Sequence, residues 1–322
     1  MSNLDRRPAP QELGGPEQVS ARPVLDLLPG KEVLLGESTR VRRLLPTLGR
    51  RLVGAWAFVD HYGPDDIASS PGMQVAPHPH TGLQTVSWLL EGEVHHRDSL
   101  GSDVRFGPGQ LALMTAGHGI AHSEQSPARH PRFLHGAQLW VVLPDADRDV
   151  PPAFEHHASL PGFTSDGLSA TVLMGSFGGA TSPGTAYTPL VGVDLDLAAG
   201  ADVEVPLEPD FEYGLLASSG AVDLEDVRLD RGAMLYLGSG RRTLRLRTEE
   251  PTRLLLLGGA PFEERIVMWW NFVGRSGEEI AEFAENWNGE GGRFAPVVGY
   301  DGDRIEAPPL PPFPLRPRGR KR

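Results

Sequence analysis

The sequence predicts an all-β protein built from two small β-barrel domains with one helix near the C-terminus. Three observations favour this fold. The 322 residues are enough for two domains, each with its own core. Glycine and proline number 39 and 30, which favours short strands joined by tight turns over long helices. Short apolar runs recur between turn signals along most of the chain, as in a sandwich or barrel.

Changes in composition along the chain predict the domain order. Residues 1–22 are polar and rich in proline and glycine, and we expect them to be disordered. Strand-like runs fill residues 23–145, where the first barrel is predicted. An acidic, proline-flanked linker then leads into a second set of strands, the second barrel, over residues 146–262. An extension with a helix follows over residues 263–305, and residues 306–322 are a Pro-rich basic tail.

One helix is predicted in this extension. Ser276 and Glu279 form a capping box, in which the serine caps the helix and the glutamate lies three residues later. The helix has the sequence EEIAEFAENWN and should end near Gly289. Its apolar residues at helical spacing are Ile280, Phe283 and Trp287. Because they share one face, we expect the helix to dock against the rest of the protein.

Composition excludes several kinds of site and partner. The chain has no cysteine, which rules out disulfides, thiolate metal sites and cysteine nucleophiles and is compatible with the cytoplasmic location that we expect. We expect no signal peptide, and no apolar stretch reaches the roughly 20 residues of a membrane helix. The net charge of −12 argues against direct binding of nucleic acid. We interpret the basic residues between Arg316 and Arg322 as a solvated, disordered end.

Two segments carry a pattern typical of metal ligands. His78 and His80 are two residues apart, so in an extended segment their side chains point to the same face. The prolines beside them argue against a helix, which would place the two imidazoles on different sides. His122 and Glu124 repeat the same spacing after another strand-like run. Together the two segments predict a site of three histidines and one carboxylate.

The chemistry of these ligands limits the ion that the site can hold. Three neutral imidazoles and one carboxylate leave a divalent ion with a net charge of about +1 and one or two open positions. This suits one Fe(II) per chain, and also Ni, Mn, Co or Cu. Oxygen or a substrate with two adjacent oxygen atoms can occupy the open positions.

The other histidines receive smaller roles. His118 lies in a Gly-rich turn, and we expect it beside the metal site or at the surface and not as a ligand. Strand alternation sends one of His95 and His96 inward, where it could border the site, although a structural role explains it sufficiently. His61 should be a hydrogen-bonded structural residue. No histidine follows His157, so a histidine-based metal site in the second barrel is excluded.

Large apolar residues near the predicted ligands are interpreted mainly as core. Trp88 and Trp140 should pack inside the first barrel, whereas Met114 precedes the second ligand segment and is a better candidate for a pocket wall. Gln138 could also line the interior. An aromatic cluster precedes the helix and consists of Trp269, Trp270 and Phe272. Burial of its large apolar area against the barrels explains the cluster.

The sequence resembles the pirin family, whose members are bicupins. The resemblance lies in HPHTGLQTVSWLLEGEVHHRDSLG and GPGQLALMTAGHGIAHSE, and also in DHYGP and GAQLWVVL. It is specific over about residues 35–145 and weakens across the second half of the chain. It returns at PFEERIVMWWNFVGRSGEEI, which looks like one branch of the family.

The resemblance implies a fold and a set of ligands. The fold would be two stacked cupin (jelly-roll) β-barrels with a C-terminal helix. The metal ligands of the family fall on His78, His80, His122 and Glu124, and iron is the usual ion. Gln84 stands where the general cupin motif has a glutamate that is often a ligand. That position is not counted as a ligand in pirins, so we expect the metal site to be retained.

Two functions are compatible with the resemblance. The first is a metal-dependent oxygenase that opens the ring of a flavonol or a similar substrate with O2, as quercetin 2,3-dioxygenase does, with Glu124 as the proton acceptor. The second is a non-catalytic, iron-binding and redox-sensitive regulator of transcription or of a metabolic enzyme, which requires a protein partner. An open apolar pocket above the ligands would favour catalysis, and a closed site would favour regulation. A metal that only stabilises the barrel is a third possibility.

Overall fold

The computed structural model describes residues 11–13, 24–35, 39–289 and 292–317. Over these ranges the chain is mostly β-strand with a single helix, α1, near the C-terminus. The strands pair into two large sheets, two four-stranded sheets and a small three-stranded sheet. This architecture of two jelly-roll barrels confirms the predicted fold class.

The strands up to the end of the first barrel are, in chain order, β1 (Gln11–Leu13), β2 (Asp26–Leu28), β3 (Lys31–Leu35), β4 (Thr39–Leu45), β5 (Trp56–Asp66), β6 (Gln74–His80), β7 (Leu83–Glu91), β8 (Val94–Asp98), β9 (Asp103–Phe106), β10 (Leu111–Thr115), β11 (Ile120–Gln125), β12 (Phe133–Val142) and β13 (Ala153–His157). The remaining elements are β14 (Gly162–Ser165), β15 (Leu168–Phe177), β16 (Ala180–Thr181), β17 (Leu190–Leu197), β18 (Asp202–Pro206), β19 (Glu212–Ser219), β20 (Val222–Leu224), β21 (Val227–Leu229), β22 (Met234–Gly238), β23 (Thr243–Arg247), β24 (Thr252–Gly259), β25 (Ile266–Trp269), β26 (Phe272–Gly274) and α1 (Gly277–Asn288).

Each barrel consists of one large and one small sheet packed over an apolar core. In the first barrel the large sheet has the order β13-β10-β7-β12-β5-β4-β3 and the small sheet the order β6-β11-β8-β9. Val75 and Val94 of the small sheet pack in one cluster with Tyr62 and Leu89 of the large sheet. The second barrel pairs β14-β15-β17-β24-β19-β22-β2 with β18-β23-β20-β21 around its own leucine- and valine-rich core.

Two strands cross the domain boundary that the composition predicts. β2 lies in the predicted first domain but pairs with β22 of the second barrel. β13 lies in the predicted second domain but pairs with β10 of the first barrel along five residues. Each thereby covers the edge of a sheet that would otherwise expose unpaired backbone groups. Sheet membership therefore does not follow the predicted boundary between residues 145 and 146. The division into domains of residues 23–145 and 146–262 remains a prediction.

Buried polar contacts join the two barrels. The indole Nε1 of Trp88 in the first barrel donates a hydrogen bond to Asp194 Oδ2 in the second at 2.8 Å. Arg253 binds the same carboxylate, with Nη2 2.6 Å from Oδ2. Gly54 N donates to Glu212 Oε1 at 2.6 Å. The barrels are held by these contacts and by an apolar cluster with residues from both.

Within the N-terminal segment, for which disorder was predicted, the structure assigns a strand to Gln11–Leu13. These residues form β1 and pair with Ile266–Met268 of β25. Their backbone groups extend the small hairpin β25–β26, a pairing that composition does not reveal. The remainder of the segment lies outside the described residues.

The predicted helix is confirmed. The Ser276 side chain accepts a hydrogen bond from Glu279 N, and the helix ends at Asn288 with Gly289 as its C-cap. Its apolar face packs against the predicted aromatic cluster and against Ala121 of β11; the helix residues in this contact are Ile280, Phe283, Ala284 and Trp287. No helix in the described part of the chain is long and apolar enough to cross a membrane.

The Pro-rich stretch after the helix packs against the extension. Ala307 N donates to Asn288 Oδ1 at 2.8 Å, and Arg265 Nη2 donates to the carbonyl oxygen of Pro317 at 2.8 Å. The stretch through residue 317 is thus tied to the helix and to its preceding hairpin. The basic residues from 318 onward, for which disorder was predicted, lie outside the described residues.

Candidate metal centre

The strand register of the small sheet brings the predicted ligand segments together. β11 lies between β6 and β8, and His122 stands opposite His78 on one side and opposite Asp98 on the other. Side chains of directly opposite residues point to the same face, with Cβ atoms about 4.5–5.5 Å apart. The two-residue spacing places His80 on this face as well. Three histidines from two neighbouring strands therefore meet inside the first barrel.

The three imidazoles converge as metal ligands do. One ligand atom from each of His78, His80 and His122 lies within 4.8 Å of the other two. All three side chains are buried, with relative exposures of 0%, 0% and 1%. Among the described residues, the Nε2 atom of each has no hydrogen-bond partner, and each is buried. Burial of unpaired polar atoms is costly, and a shared metal ion would satisfy all three at once, so the residues present fit such an ion.

The opposite nitrogen of two of these rings is held by main-chain carbonyl groups. His78 Nδ1 lies 2.8 Å from Ala76 O, and His80 Nδ1 lies 3.1 Å from Asn271 O. Because a carbonyl oxygen only accepts, each Nδ1 carries the proton and donates it. Each Nε2 then presents a lone pair toward the centre of the group, as a metal ligand must.

The third ring, His122, is held by another histidine. His122 Nδ1 lies 3.4 Å from His96 Nδ1, and His96 Nε2 lies 3.0 Å from Asp98 Oδ2. The His96 ring also stacks on Phe154, with centroids 4.0 Å apart and planes 8° apart. Of the two adjacent histidines, His96 is therefore the one that borders the site, and it has structural partners, as predicted. His95 instead binds Asp103, with His95 Nε2 2.5 Å from Asp103 Oδ1.

Burial keeps the three imidazoles neutral at physiological pH. Desolvation lowers the pKa of His78 to about 4. Desolvation, followed by the proximity of His78, lowers the pKa of His80 and His122 well below the ordinary value for histidine. Neutral imidazole is the form that binds metal, so protons do not compete for these ligands near neutral pH.

Glu124 is buried close to the three histidines but is not part of their group. A register shift between His122 and Glu124 interrupts the pairing of β11 with β6. The group of atoms within 4.8 Å of one another contains the three histidines and not this carboxylate. Ser87 Oγ lies 3.2 Å from Glu124 Oε1 and donates to it. The roles of Glu124 as fourth ligand and as proton acceptor remain predictions.

A serine and a glutamine orient Glu124. Ser87 Oγ also lies 2.8 Å from Gln138 Oε1, although its single proton cannot serve two acceptors. The Gln138 amide nitrogen is buried and has no partner within the described ranges. Turning the amide by 180° resolves both conflicts, because Gln138 then donates to Ser87 and Ser87 donates to Glu124. Gln138 thus contributes to the site through Ser87.

Several other predicted residues have clear positions. The Gln84 amide nitrogen donates to Thr115 Oγ1 at 2.9 Å and to Thr185 O at 3.0 Å, so it is bound outside the histidine group. His118 is exposed, as one of its two predicted locations requires. The Trp140 ring contacts the His80 ring edge-on at 5.1 Å, and Trp140 and Trp88 are buried in the core as predicted. Met114, predicted as a pocket wall, belongs to the same core cluster.

Sequence reasoning missed three contributors to the site. Asp98 backs His96, Ser87 binds Glu124, and the carbonyl oxygen of Asn271 binds His80. Asp98 had a signal, because His96 and Asp98 repeat the two-residue spacing of the predicted ligands on a third strand. A main-chain carbonyl carries no signal in the sequence, since every residue has one.

Comparison with known proteins supports the family suggested by the motifs. The chain matches the family model described as Pirin over residues 38–141 and the model described as Pirin C-terminal cupin domain over residues 192–295. It is 45% identical over 277 residues to a Pseudomonas aeruginosa protein named "Putative quercetin 2,3-dioxygenase PA1205", covering 86% of this chain and 88% of the relative. A protein of Caulobacter vibrioides named "Pirin-like protein" is 36% identical over 77% of this chain and 87% of its own length.

A solved structure agrees with these relatives. The crystal structure of quercetin 2,3-dioxygenase from Acinetobacter baumannii superposes with a TM-score of 0.86 at 40% sequence identity. The match covers 91% of this chain and 98% of that chain. A match of this coverage spans both barrels. With two matched family models and relatives of this identity and coverage, the chain belongs to the pirin family of bicupins.

Proposed function

We propose that the protein is a metal-dependent oxygenase of the quercetin 2,3-dioxygenase type, which opens the ring of a flavonol or a similar substrate with O2. The observation that carries this proposal is the convergence of the buried Nε2 atoms of His78, His80 and His122, for which the described part of the chain offers no hydrogen-bond partner. A buried nitrogen without a hydrogen bond destabilises the folded chain, and one bound ion would satisfy all three nitrogens. Relatives named for quercetin 2,3-dioxygenase support the substrate class.

The residues of the site have distinct roles in this proposal. The three imidazoles and Glu124 would hold one divalent ion, with Fe(II) as the first choice and Ni, Mn, Co or Cu as substitutes. A bound ion would supply Lewis acidity that lowers the pKa of a substrate hydroxyl, together with open positions for oxygen atoms. Glu124 accepts the hydroxyl proton, and Ser87 orients the carboxylate that receives it. Trp140, packed against His80, helps to exclude water.

The test combines metal analysis with turnover. The purified full chain is loaded with Fe(II), its metal content is measured by elemental analysis, and the loss of quercetin absorbance is followed in air. The variants are His80→Ala, which removes a ligand, and His118→Ala, which changes an exposed histidine in the nearby turn. We expect about one metal per chain and loss of quercetin in the wild type and in His118→Ala, and neither in His80→Ala.

Other outcomes would favour other functions. The second function, the non-catalytic, redox-sensitive regulator, is favoured by the closed site, because the side chains of His78, His80 and His122 are at most 1% exposed. Metal binding without loss of quercetin or related flavonols would point to this regulator, whose protein partner would then have to be found. A wild-type chain that binds none of the candidate ions under any loading condition would contradict the metal centre itself.

A further inference from the structure

The three imidazoles of the centre are not held alike. His78 and His80 each donate to a main-chain carbonyl oxygen, which is uncharged and fixed by the backbone. His122 instead contacts His96, whose second nitrogen contacts the carboxylate of Asp98. A histidine has two tautomers, so its partner must be specified before the proton can be placed. The tautomer of His122 thus depends on what holds His96.

The surroundings of Asp98 specify the whole chain of protons. Asp98 Oδ1 accepts from Leu100 N at 2.9 Å and from Ser102 N at 3.0 Å. Its Oδ2 lies 3.0 Å from His96 Nε2, and the side chain is fully buried. A carboxylate that faces two N–H donors acts as an acceptor only. The proton of His96 therefore lies on Nε2, and its Nδ1 has a lone pair.

The lone pair on His96 Nδ1 decides the state of His122. The two Nδ1 atoms are 3.4 Å apart, and with no proton on His96 Nδ1 the proton between them must belong to His122. A neutral His122 that carries its proton on Nδ1 has a lone pair on Nε2, the atom that faces the other two histidines. We infer that Asp98 and His96 form a positioning relay that fixes His122 in its metal-binding tautomer. This inference rests on the proposed metal centre.

Packing fixes the orientation of the His96 ring. Its ring is stacked on Phe154 with nearly parallel planes, and only 2% of the residue is exposed. The ring plane is thereby fixed, and both nitrogens are directed at Asp98 and His122. Second-layer contacts of this kind typically change metal affinity by roughly 10–100-fold when they are removed.

Substitution of Asp98 by asparagine should invert the relay. The amide of asparagine has one acceptor oxygen, which must face the N–H groups of Leu100 and Ser102. The NH2 group then faces His96 Nε2, so His96 must accept there and carry its proton on Nδ1. His122 must in turn accept at Nδ1 and carry its proton on Nε2. That proton blocks the metal-facing atom of His122, although asparagine has the same shape as the aspartate that it replaces.

The chain contains a matched control. His95 of β8 and Asp103 of the neighbouring strand β9 form the same kind of histidine–carboxylate pair, with His95 Nε2 2.5 Å from Asp103 Oδ1. This aspartate is 61% exposed, and the pair has no contact with a ligand histidine in the described part of the structure. Asp103→Asn therefore makes the same chemical change outside the relay.

The experiment has two readouts on the full chain. The first is the Ni(II) dissociation constant of wild type, Asp98→Asn and Asp103→Asn, measured by competition with a chelator. The second is the tautomer of His122 in the metal-free protein, read from imidazole ¹⁵N chemical shifts and assigned by the loss of its signals in His122→Gln. Circular dichroism verifies that each variant folds.

The inference predicts that His122 carries its proton on Nδ1 in the wild type and in Asp103→Asn, and on Nε2 in Asp98→Asn. Ni(II) affinity should fall by about 10–100-fold in Asp98→Asn alone. A wild-type His122 protonated on Nε2, or equal Ni(II) affinities of Asp98→Asn and Asp103→Asn, would overturn the relay. If the wild type binds no metal, the proposed function fails, whereas the relay is still decided by the ¹⁵N shifts.

Discussion

The main-chain carbonyl oxygen of Asn271 lies 3.1 Å from His80 Nδ1, although the two residues are 191 positions apart in the chain. Asn271 belongs to the turn between β25 and β26, in the extension that follows the second barrel. Its neighbour Trp270 has a φ of 53°, which is rare for a bulky residue. Backbone strain of this kind persists where the surroundings fix a functional geometry. The extension thus helps to orient a ligand in the first barrel.

Gly82 tests this link between the extension and the metal centre. An alanine Cβ at Gly82 would lie 2.5 Å from the carbonyl oxygen of Val273, so Gly82→Ala should push the hairpin away from His80. We expect reduced Ni(II) affinity, by roughly 10-fold or more, together with a lower melting temperature. Gly109→Ala is the control, because Gly109 also has a positive φ, while no atom of the described residues lies within 4 Å of the added Cβ. Equal metal affinity of the two variants would contradict the link.

Glu124→Gln separates the two roles proposed for this carboxylate. A fourth ligand contributes to metal affinity, whereas a proton acceptor contributes to turnover at saturating metal. We expect the variant to bind Fe(II) about 10–100-fold more weakly and to have at least 100-fold lower turnover even when it is fully loaded. Metal affinity comes from titration under anaerobic conditions and turnover from quercetin absorbance. Glu91→Gln, at an exposed strand end, should match the wild type in both.

Trp88→Phe tests the buried contact between the barrels. The substitution removes the N–H donor that binds Asp194 Oδ2 at 2.8 Å and leaves a buried carboxylate with one donor fewer. Loss of a hydrogen bond to a charged group costs about 1.5–3 kcal/mol, in addition to the cost of the smaller ring. Trp269→Phe makes the same change at an indole nitrogen that has no hydrogen-bond partner in the part of the chain that the structure describes. The free energy of unfolding from urea titration should therefore fall more in Trp88→Phe, and an equal loss would argue against the contact.

A buried histidine pair should make stability depend on pH. The Nε2 atoms of His61 and His135 lie 3.0 Å apart. Burial and then the neighbouring His135 lower the pKa of His61 to about 3, and burial and then Arg231 lower that of His135 to about 4. Both pKa values are below the ordinary value of about 6.5. Between the folded and the ordinary pKa, the unfolded chain therefore binds more protons than the folded chain. The contribution of the two neutral histidines to the free energy of unfolding is fully present above pH 6.5 and is lost as the pH falls.

His135→Gln should make this pH dependence less steep. Each such histidine contributes a slope of about 1.4 kcal/mol per pH unit between its two pKa values. Urea titrations of the metal-free chain between about pH 6 and pH 4.5 should show a slope smaller by about this amount in the variant. His118→Gln, at an exposed position, should retain the wild-type slope. An unchanged slope in His135→Gln would mean that the pair does not titrate on unfolding.

The sequence by itself determined the all-β class, the helix and the three histidines of the centre. These depend on local rules, because residues two apart on a strand share a face and a capping serine marks a helix start in any context. Only the tertiary structure decided that β2 and β13 pair with the sheet of the other barrel, which group holds each imidazole and how Glu124 is placed. Strand pairing, the register shift before Glu124 and the approach of the Asn271 carbonyl all join distant segments. Their energies depend on packing of the whole chain, and a backbone carbonyl looks the same at every position.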